Sequence, residues 1–191
     1  MSEGRHNIGG LAAWGDIFQI AYVTAAFDEA LAYWTGTVGA GPFFVSRGFM
    51  LRGWRYKGAP VDIALDLALG YWGDHQIELI RQTCRTPSVY IEWQDAGRTG
   101  VHHFGLYCEE GARARAAVGA AGLEIIQDVD GPTGGVFYVD QPGQTTLEFI
   151  SRMPIQDRLF AAMKDARASW DGVSEPIRSL TDLVSQAAQA T

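Results

Sequence analysis

The chain has 191 residues, of which 47% are hydrophobic, and its formal net charge is −7. This length suits one domain or two similar small halves, and the apolar content is enough for a packed core, which argues against disorder. The acidic balance argues against a nucleic-acid or anionic-membrane surface, because both need clustered Lys and Arg.

Neither the cysteines nor the apolar segments indicate secretion or membrane insertion. Cys84 and Cys108 form no CxxC pair, so both are interpreted as reduced, structural thiols. The first sixteen residues lack a basic start followed by an apolar run, and the most apolar stretch, VDIALDLALGYW, is too short to cross a bilayer. We therefore expect a cytoplasmic protein without a membrane segment.

The first half of the chain predicts a strand, a helix and three further strands. The run IFQIAYV is typical of a strand, and DEALAYWTGTVGAG after it is typical of a short helix that ends at Gly36 or Gly39. Strand character returns in PFFVS, VDIALDLALGYW and HQIELIR, with a turn-rich segment between the first two.

The second half predicts the same order of elements. A strand at 101–108 is followed by an Ala-rich helix closed by Gly122, and then by the strands LEIIQDV, VFYVD and TTLEFIS, with a Gly- and Pro-rich turn at 131–135. Such self-similarity indicates a duplicated unit. The first copy is longer, and its extra residues are assigned to RGFMLRGWRYKGAP at 47–60.

Five segments follow from this repeat. They are an N-terminal extension at 1–15, a first βαβββ module at 16–82, a linker at 83–100, a second βαβββ module at 101–152 and C-terminal helices at 153–191. In the last segment an apolar stripe predicts one helix, and a second is expected to begin at Ser174 with Pro176 in its first turn. Both are interpreted as packing on the body or on a partner subunit.

Four predicted strands each carry one polar side chain within an apolar run. These residues are Gln19, Glu78, His103 and Glu148. Because side chains alternate between the two faces of a strand, all four point away from the helix-covered core. Unpaired and buried, the ions would cost several kcal/mol each, and a bound Zn²⁺ or other first-row cation would remove that cost. The alternative is an open sheet with all four in solvent, but their recurrence in both copies favours a metal site.

The repeated unit, with QIAYV…IELI and GVHHFGLY…TLEFI, resembles the vicinal oxygen chelate superfamily over about residues 16–152. That superfamily contains glyoxalase I, methylmalonyl-CoA epimerase, extradiol dioxygenases and bleomycin-resistance proteins, and GVHHFG and IELI are most similar to the epimerase branch. The resemblance implies an α+β fold in which two βαβββ modules form a cupped, mostly antiparallel sheet around a metal site, with C-terminal helices added. It also implies a homodimer.

The family's metal ligands, carried over residue by residue, fall on Gln19, Glu78, His103 and Glu148. This Gln-Glu-His-Glu order resembles the zinc set of the eukaryotic glyoxalase I type, whereas epimerases usually have His at the position of Gln19. The implied cofactor is one divalent ion (Zn, Co, Ni, Mn or Fe), bound within one chain or across a swapped dimer.

The expected function is that of a metal-dependent isomerase, epimerase or lyase that removes a proton α to a carbonyl. A cation that binds two vicinal oxygens polarises the carbonyl and stabilises the enediolate. Glu148 is assigned as principal base, and Glu78 as second acid/base or ligand. Two alternatives stay open: a lactoylglutathione lyase type of glyoxalase, and a non-catalytic small-molecule binding or resistance protein. An extradiol dioxygenase is disfavoured, because its usual 2-His-1-carboxylate set finds only His103.

The substrate is less well indicated. Arg52 and Arg55 could bind the carboxylate or phosphate of an acyl-CoA or other acidic thioester, although a solvated hairpin explains them equally well. The strand parity of Tyr107, Gln76 and Thr146 places them in the same predicted cavity as further substrate-binding candidates. His102 is expected to point the opposite way from His103, either behind the metal ligands or in the core.

Overall fold

A computed structural model describes residues 10–140 and 145–189 of the chain. The first repeat contains β1 (Ile17–Val23), α1 (Phe27–Ala32), β2 (Phe43–Tyr56), β3 (Ala59–Trp72) and β4 (His75–Gln82). After α2 (Val89–Asp95), the second repeat contains β5 (Val101–Cys108), α3 (Gly111–Ala120), β6 (Ile125–Val129), β7 (Val136–Val139) and β8 (Thr146–Ser151). The chain then forms α4 (Pro154–Ser169), β9 (Ile177–Ser179) and α5 (Leu180–Gln189).

The strands form one curved sheet in the order β3-β4-β1-β5-β8-β7-β6-β2-β9. The two repeats meet where β1 and β5 pair antiparallel, and the last strand of each repeat lies parallel to its first strand, outside this central pair. Helices α1 and α3 cover the outer face, where Phe27 and Leu31 pack with Ile77 and Leu79, and the corresponding cluster of the second repeat forms on α3. The predicted α+β fold of two βαβββ units is confirmed.

The segment at 47–60, predicted to be rich in turns, is instead the far end of a long β-hairpin. Strands β2 and β3 have 14 residues each and turn at Lys57 and Gly58, both with positive φ. Gly48 and Gly53 also have positive φ, but they lie at irregularities in the pairing of β2 with β3 and not at chain reversals. The hairpin tip pairs with β6, so the sheet closes on itself.

The linker contains a helix that the sequence analysis did not predict. Helix α2 begins after Ser88, whose Oγ accepts a hydrogen bond from the backbone N–H of Ile91 at 3.1 Å. Its residues Val89 and Tyr90 are buried in the same apolar cluster as Val23 and Ile80, inside the curve of the sheet. The hydroxyl of Tyr56, at the hairpin tip, donates to Glu92. Helix α2 therefore covers one part of the cup.

Helix α4 packs against the body of the protein, as one of the two sequence interpretations had it. Met163 is 1% exposed and joins a cluster with Tyr71 of β3. The predicted start of the last helix at Ser174 was wrong: residues 177–179 pair with the beginning of β2, and α5 starts at Leu180. Within the described residues, no helix is long and apolar enough to span a membrane.

Candidate metal centre

The four predicted ligands lie on the four neighbouring strands at the middle of the sheet. Ala21 of β1 pairs with Glu78 on one side and with His103 on the other. Gly105 of β5 pairs in the same way with Gln19 and with Glu148. In each of these two sets of three paired residues, a small residue lies between two polar ones across neighbouring strands. The duplication relates one set to the other. All four side chains are supplied by one chain.

Three of these side chains converge on one point. The Nε2 atom of His103 lies 3.2 Å from Oε2 of Glu78 and 3.2 Å from Oε2 of Glu148. One donor atom from each residue lies within 4.8 Å of the other two. Ligand atoms about 2.0–2.2 Å from a zinc ion are about 3–3.5 Å from one another, so the spacing fits neighbouring ligands of one first-row cation.

The hydrogen bonding of the site supports the same interpretation. Gln19, Glu78, His103 and Glu148 are all buried, between 0% and 9% exposed. Apart from the 3.2 Å contacts that join His103 to the two carboxylates, one buried polar atom in each of them has no hydrogen-bond partner: Oε1 of Gln19, Oε2 of Glu78, Nε2 of His103 and Oε2 of Glu148. Leaving such atoms unsatisfied is costly. One amide oxygen, one imidazole nitrogen and two carboxylate oxygens form a suitable donor set for a divalent cation.

In two of the four candidate ligands, Gln19 and Glu148, the other polar atom of the side chain is held by a neighbour. The amide nitrogen of Gln19 donates to Oε1 of Gln76 at 2.8 Å, which leaves the Gln19 oxygen for the centre. The hydroxyl of Tyr138 donates to Oε1 of Glu148 and makes a 2.8 Å hydrogen bond with the hydroxyl of Tyr90. These partners orient the ligands, as outer residues commonly do at metal sites.

Burial and the close carboxylates together determine the electrostatics of the centre. Burial raises the pKa of Glu78, and the contact with His103 offsets part of that rise. Burial alone would lower the pKa of His103, but the two carboxylates outweigh it and raise this pKa to about 9. Burial, together with the neighbouring His103, holds the pKa of His102 well below its usual range. The carboxylates therefore favour positive charge at their centre, which a divalent cation would supply.

His102 does not point away from His103, as strict alternation had predicted. Along β1 the pairing advances by one residue, from Ala21 to Tyr22, while the partner on β5 changes from His103 to Val101. His102 is therefore the extra residue of a β-bulge, which redirects its side chain. The Nδ1 atoms of the two imidazoles lie 2.8 Å apart.

The other predicted site residues divide into two groups. Gln76 contacts Gln19, Thr146 pairs with His103 across β5 and β8, and Tyr107 shares the His103 face of β5. The hydroxyl of Tyr107 donates to Asp157 of α4 at 3.1 Å, so α4 covers this part of the cup.

The two arginines lie elsewhere. Arg55 binds Asp128 at 2.6 and 3.1 Å, on the sheet face that α3 covers, since Arg115 of α3 binds the same carboxylate at 2.7 Å. Arg52 is 73% exposed in its side chain and lies 3.7 Å from Asp62. Their role in substrate binding stays a prediction, and Arg55 does not face the metal centre.

Sequence reasoning missed the residues that α2 and β7 bring to the centre. Tyr138 aligns with Glu148 in the pairing of β7 with β8, and strand parity could have placed it there. Tyr90 and Val89 could not have been found in that way, because the position of α2 depends on contacts with distant strands. All of them are buried.

Substitution of Gly105 by alanine should weaken cation binding. A Cβ atom at this position would lie 2.6 Å from Oε1 of Gln19 and 2.9 Å from its Cβ, so the amide oxygen must leave its place. We expect the dissociation constant for Zn²⁺ to rise about tenfold or more, as for other changes beside metal ligands. Isothermal titration of the metal-free protein measures this. The control is Gly119→Ala in α3, where an added Cβ has no neighbour within 4 Å; equal affinities in both variants would contradict the prediction.

The comparisons with known proteins agree with this architecture. Residues 18–139, more than half of the chain, match the family described as the glyoxalase/bleomycin resistance protein/dioxygenase superfamily. No curated protein matches the sequence. Methylmalonyl-CoA epimerase from Mycobacterium tuberculosis has a similar structure, with a TM-score of 0.52 and 14% identity over 80% of this chain and 97% of that one.

Two further solved structures share the fold. A hypothetical protein from Bacillus halodurans C-125 has a TM-score of 0.53 and 16% identity, covering 73% of this chain and 95% of that one. A triple mutant of 4-hydroxymandelate synthase from Streptomyces coelicolor has a TM-score of 0.54 and 12% identity, covering 72% of this chain and 38% of that one. At these identities the structures show the fold alone, and the family match carries the assignment. The chain belongs to the glyoxalase/bleomycin resistance protein/dioxygenase superfamily.

Proposed function

We propose that this protein is a metal-dependent isomerase or epimerase that removes a proton from the carbon next to a substrate carbonyl and returns a proton to it. The observation that carries the proposal is the set of four buried donor atoms, one on each central strand, that have no hydrogen-bond partner outside the set. A divalent cation bound there polarises a substrate carbonyl and so makes the adjacent C–H more acidic.

Two carboxylates serve the proton transfers. Glu78 and Glu148 belong to equivalent strands of the two repeats, and Oε2 of each lies 3.2 Å from Nε2 of His103. An epimerase needs two such groups, because the proton leaves one face of the carbon and arrives on the other. We assign Glu148 as the principal base, Glu78 as the second acid/base or a ligand, and His103 and Gln19 as metal-holding residues.

The surroundings suit this chemistry. Tyr138 holds one oxygen of Glu148, so the carboxylate has a fixed orientation and keeps its second oxygen for a proton or a cation. The adjacent cup is apolar, with Val23, Ile80 and Tyr90 in one buried cluster. Excluding water strengthens the interaction between a carboxylate and a developing charge and limits side reactions.

The substrate class is part of the proposal. The chelating role of the cation requires a small molecule with two oxygens that can bind one ion, and an acyl-CoA with a second oxygen-bearing group at C2, such as a carboxylate, or another acidic thioester is one such class. Because Arg55 is bound by Asp128 and Asp130, recognition of phosphate by this arginine would require those ion pairs to open. A homodimer is also proposed, and light scattering of the purified protein tests it.

Hydrogen–deuterium exchange tests the reaction. Metal-loaded protein in D₂O is incubated with a panel of 2-substituted acyl-CoAs and of hemithioacetals, and loss of the α-proton signal is followed by NMR. We expect exchange in one class, loss of exchange after chelation, and recovery when Zn²⁺, Co²⁺, Ni²⁺, Mn²⁺ or Fe²⁺ is returned. Exchange and isomerisation in hemithioacetals alone would favour the glyoxalase alternative. Metal-loaded protein that catalyses no exchange in either class would favour the binding-protein alternative and contradict the proposal.

A further inference from the structure

We propose that His102 is a positioning residue that sets the tautomer of His103, so that Nε2 of His103 is presented to the cation as a free lone pair. This inference rests on the metal centre of the proposed function, and it assigns a role to a side chain that is neither a ligand nor a base. The geometry that carries it is a chain of two hydrogen bonds that begins at a backbone carbonyl of α2.

The first bond fixes His102. Its Nε2 atom lies 3.3 Å from the carbonyl oxygen of Val89. A carbonyl oxygen can only accept, so Nε2 of His102 must carry the proton. In a neutral imidazole the other nitrogen, Nδ1, then has no proton and acts as an acceptor.

The second bond transmits this choice to the ligand. Nδ1 of His102 lies 2.8 Å from Nδ1 of His103. Because the His102 atom accepts, the His103 atom must donate, and its proton is therefore on Nδ1. When a cation takes the place of the second proton that the carboxylates favour, His103 is neutral and its Nε2 is left unprotonated; this is the atom that lies 3.2 Å from the carboxylates of Glu78 and Glu148.

The opposite arrangement would obstruct the centre. If Nδ1 of His102 carried the proton, it would donate the hydrogen bond, and Nδ1 of His103 would have to be an unprotonated acceptor. The remaining proton of a neutral His103 would then occupy Nε2, in the place of the cation. The bulge in β5 is what permits this control, because an unbulged strand would direct the two adjacent imidazoles to opposite faces.

Helix α2 keeps these two hydrogen bonds, from His103 to His102 and from His102 to the Val89 carbonyl, in place; together they form a relay. The backbone N–H of Val89 donates to Oε1 of Gln127 at 3.1 Å, so the peptide groups at the start of α2 are held by the second repeat. The His102 ring is packed between Tyr90 and Trp93 of the same helix, with centroid distances of 5.5 and 5.1 Å. His102 is 1% exposed, and its ring therefore has few alternative positions.

Two amide substitutions separate the two bonds of the relay. In His102→Asn the side-chain oxygen stands close to the position of Nδ1 and can accept from His103, but the bond to Val89 is lost. In His102→Gln the side-chain nitrogen stands close to the position of Nε2 and can donate to Val89, but the acceptor for His103 is lost. Both variants remove the same aromatic contacts, so a purely structural role predicts similar effects in both.

The readout is the affinity of metal-free protein for Zn²⁺, measured by competition with a chromophoric chelator. We expect His102→Asn to stay close to wild type and His102→Gln to bind about 10–100-fold more weakly, the range found when outer partners of metal ligands are changed. Thermal unfolding of both metal-free variants shows whether they are equally folded. Equal Zn²⁺ affinities of the two variants would overturn the relay, whereas a wild type that binds no Zn²⁺ would overturn the metal centre as well.

A second measurement does not depend on the metal. Long-range ¹H–¹⁵N correlation spectra of the metal-free protein identify which nitrogen of a neutral imidazole carries the proton. We expect His102 to carry it on Nε2, and the assignment is secured by loss of this signal in His102→Asn. A His102 protonated on Nδ1 would overturn the proposal even if the protein binds Zn²⁺.

Discussion

Glu148→Gln should retain the metal but lose about 10²–10⁴-fold of the α-proton exchange in the enantiomer whose α-proton faces Glu148, the usual contribution of a positioned general base. The amide has the size of the carboxylate, and its NH2 group can donate to the hydroxyl oxygen of Tyr138, the reverse of the bond that the carboxylate accepts. Its oxygen can still face the centre, as the oxygen of Gln19 does. What it lacks is a group that can take a proton, so metal content measured by elemental analysis should persist while NMR-monitored exchange falls.

The matched control is Glu78→Gln, on the equivalent strand of the other repeat. If Glu78 acts as the second acid/base, this variant should still exchange the α-proton of one enantiomer while interconversion of the two enantiomers is lost. Wild-type exchange of both enantiomers in Glu148→Gln would refute the assignment of Glu148 as principal base. The same large loss in both variants, together with loss of the metal, would make both carboxylates ligands.

The fold and the strand positions of the four candidate ligands could be predicted from the sequence for a local reason. Gln19, Glu78, His103 and Glu148 each interrupt an apolar strand, and the period of two assigns them to one face without knowledge of the strand order. The duplication added the second condition, since equivalent strands of two repeats are placed symmetrically. Pattern and repeat together were therefore enough to predict that Glu78, His103 and Glu148 lie together and that Gln19 lies on the same face.

Other parts of the site depend on pairing register and long-range contacts, which a single sequence does not display. His102 lies beside His103 because β5 bulges opposite Ala21, and alternation alone predicts the reverse. The segment that contains Gly48 and Gly53 was predicted to be rich in turns, but both residues lie at irregularities in the pairing of one long strand. The last helix starts at Leu180 because the preceding residues pair with β2.

The long hairpin links these differences to the site. Its tip pairs with β6 and holds α2 through Tyr56 and Lys57, which contact Glu92. Helix α2 in turn supplies the Val89 carbonyl that accepts from His102. The inserted residues 47–60, interpreted from sequence as a candidate substrate-binding segment, therefore also support the helix behind the metal centre.

Addition of a divalent cation to the metal-free protein should raise its thermal unfolding midpoint, because the folded state alone holds the four donors together. At a free concentration about 1,000 times the dissociation constant, the stabilisation is about 4 kcal/mol. For a chain of 150–250 residues each kcal/mol shifts the midpoint by about 2–4 °C, so we expect a rise of about 8–16 °C. Differential scanning calorimetry with and without a chelator measures it.

His103→Ala should abolish this rise, because the remaining carboxylates lose the imidazole that joins them. The metal-free variant should also be less stable than metal-free wild type by up to about 3–5 kcal/mol, since removing one partner leaves buried carboxylates uncompensated; urea unfolding measures this difference. His75→Ala is the control, because His75 lies on the same strand as Glu78 but is exposed. A full cation-induced rise in His103→Ala would contradict the assignment of His103 as a metal-holding residue.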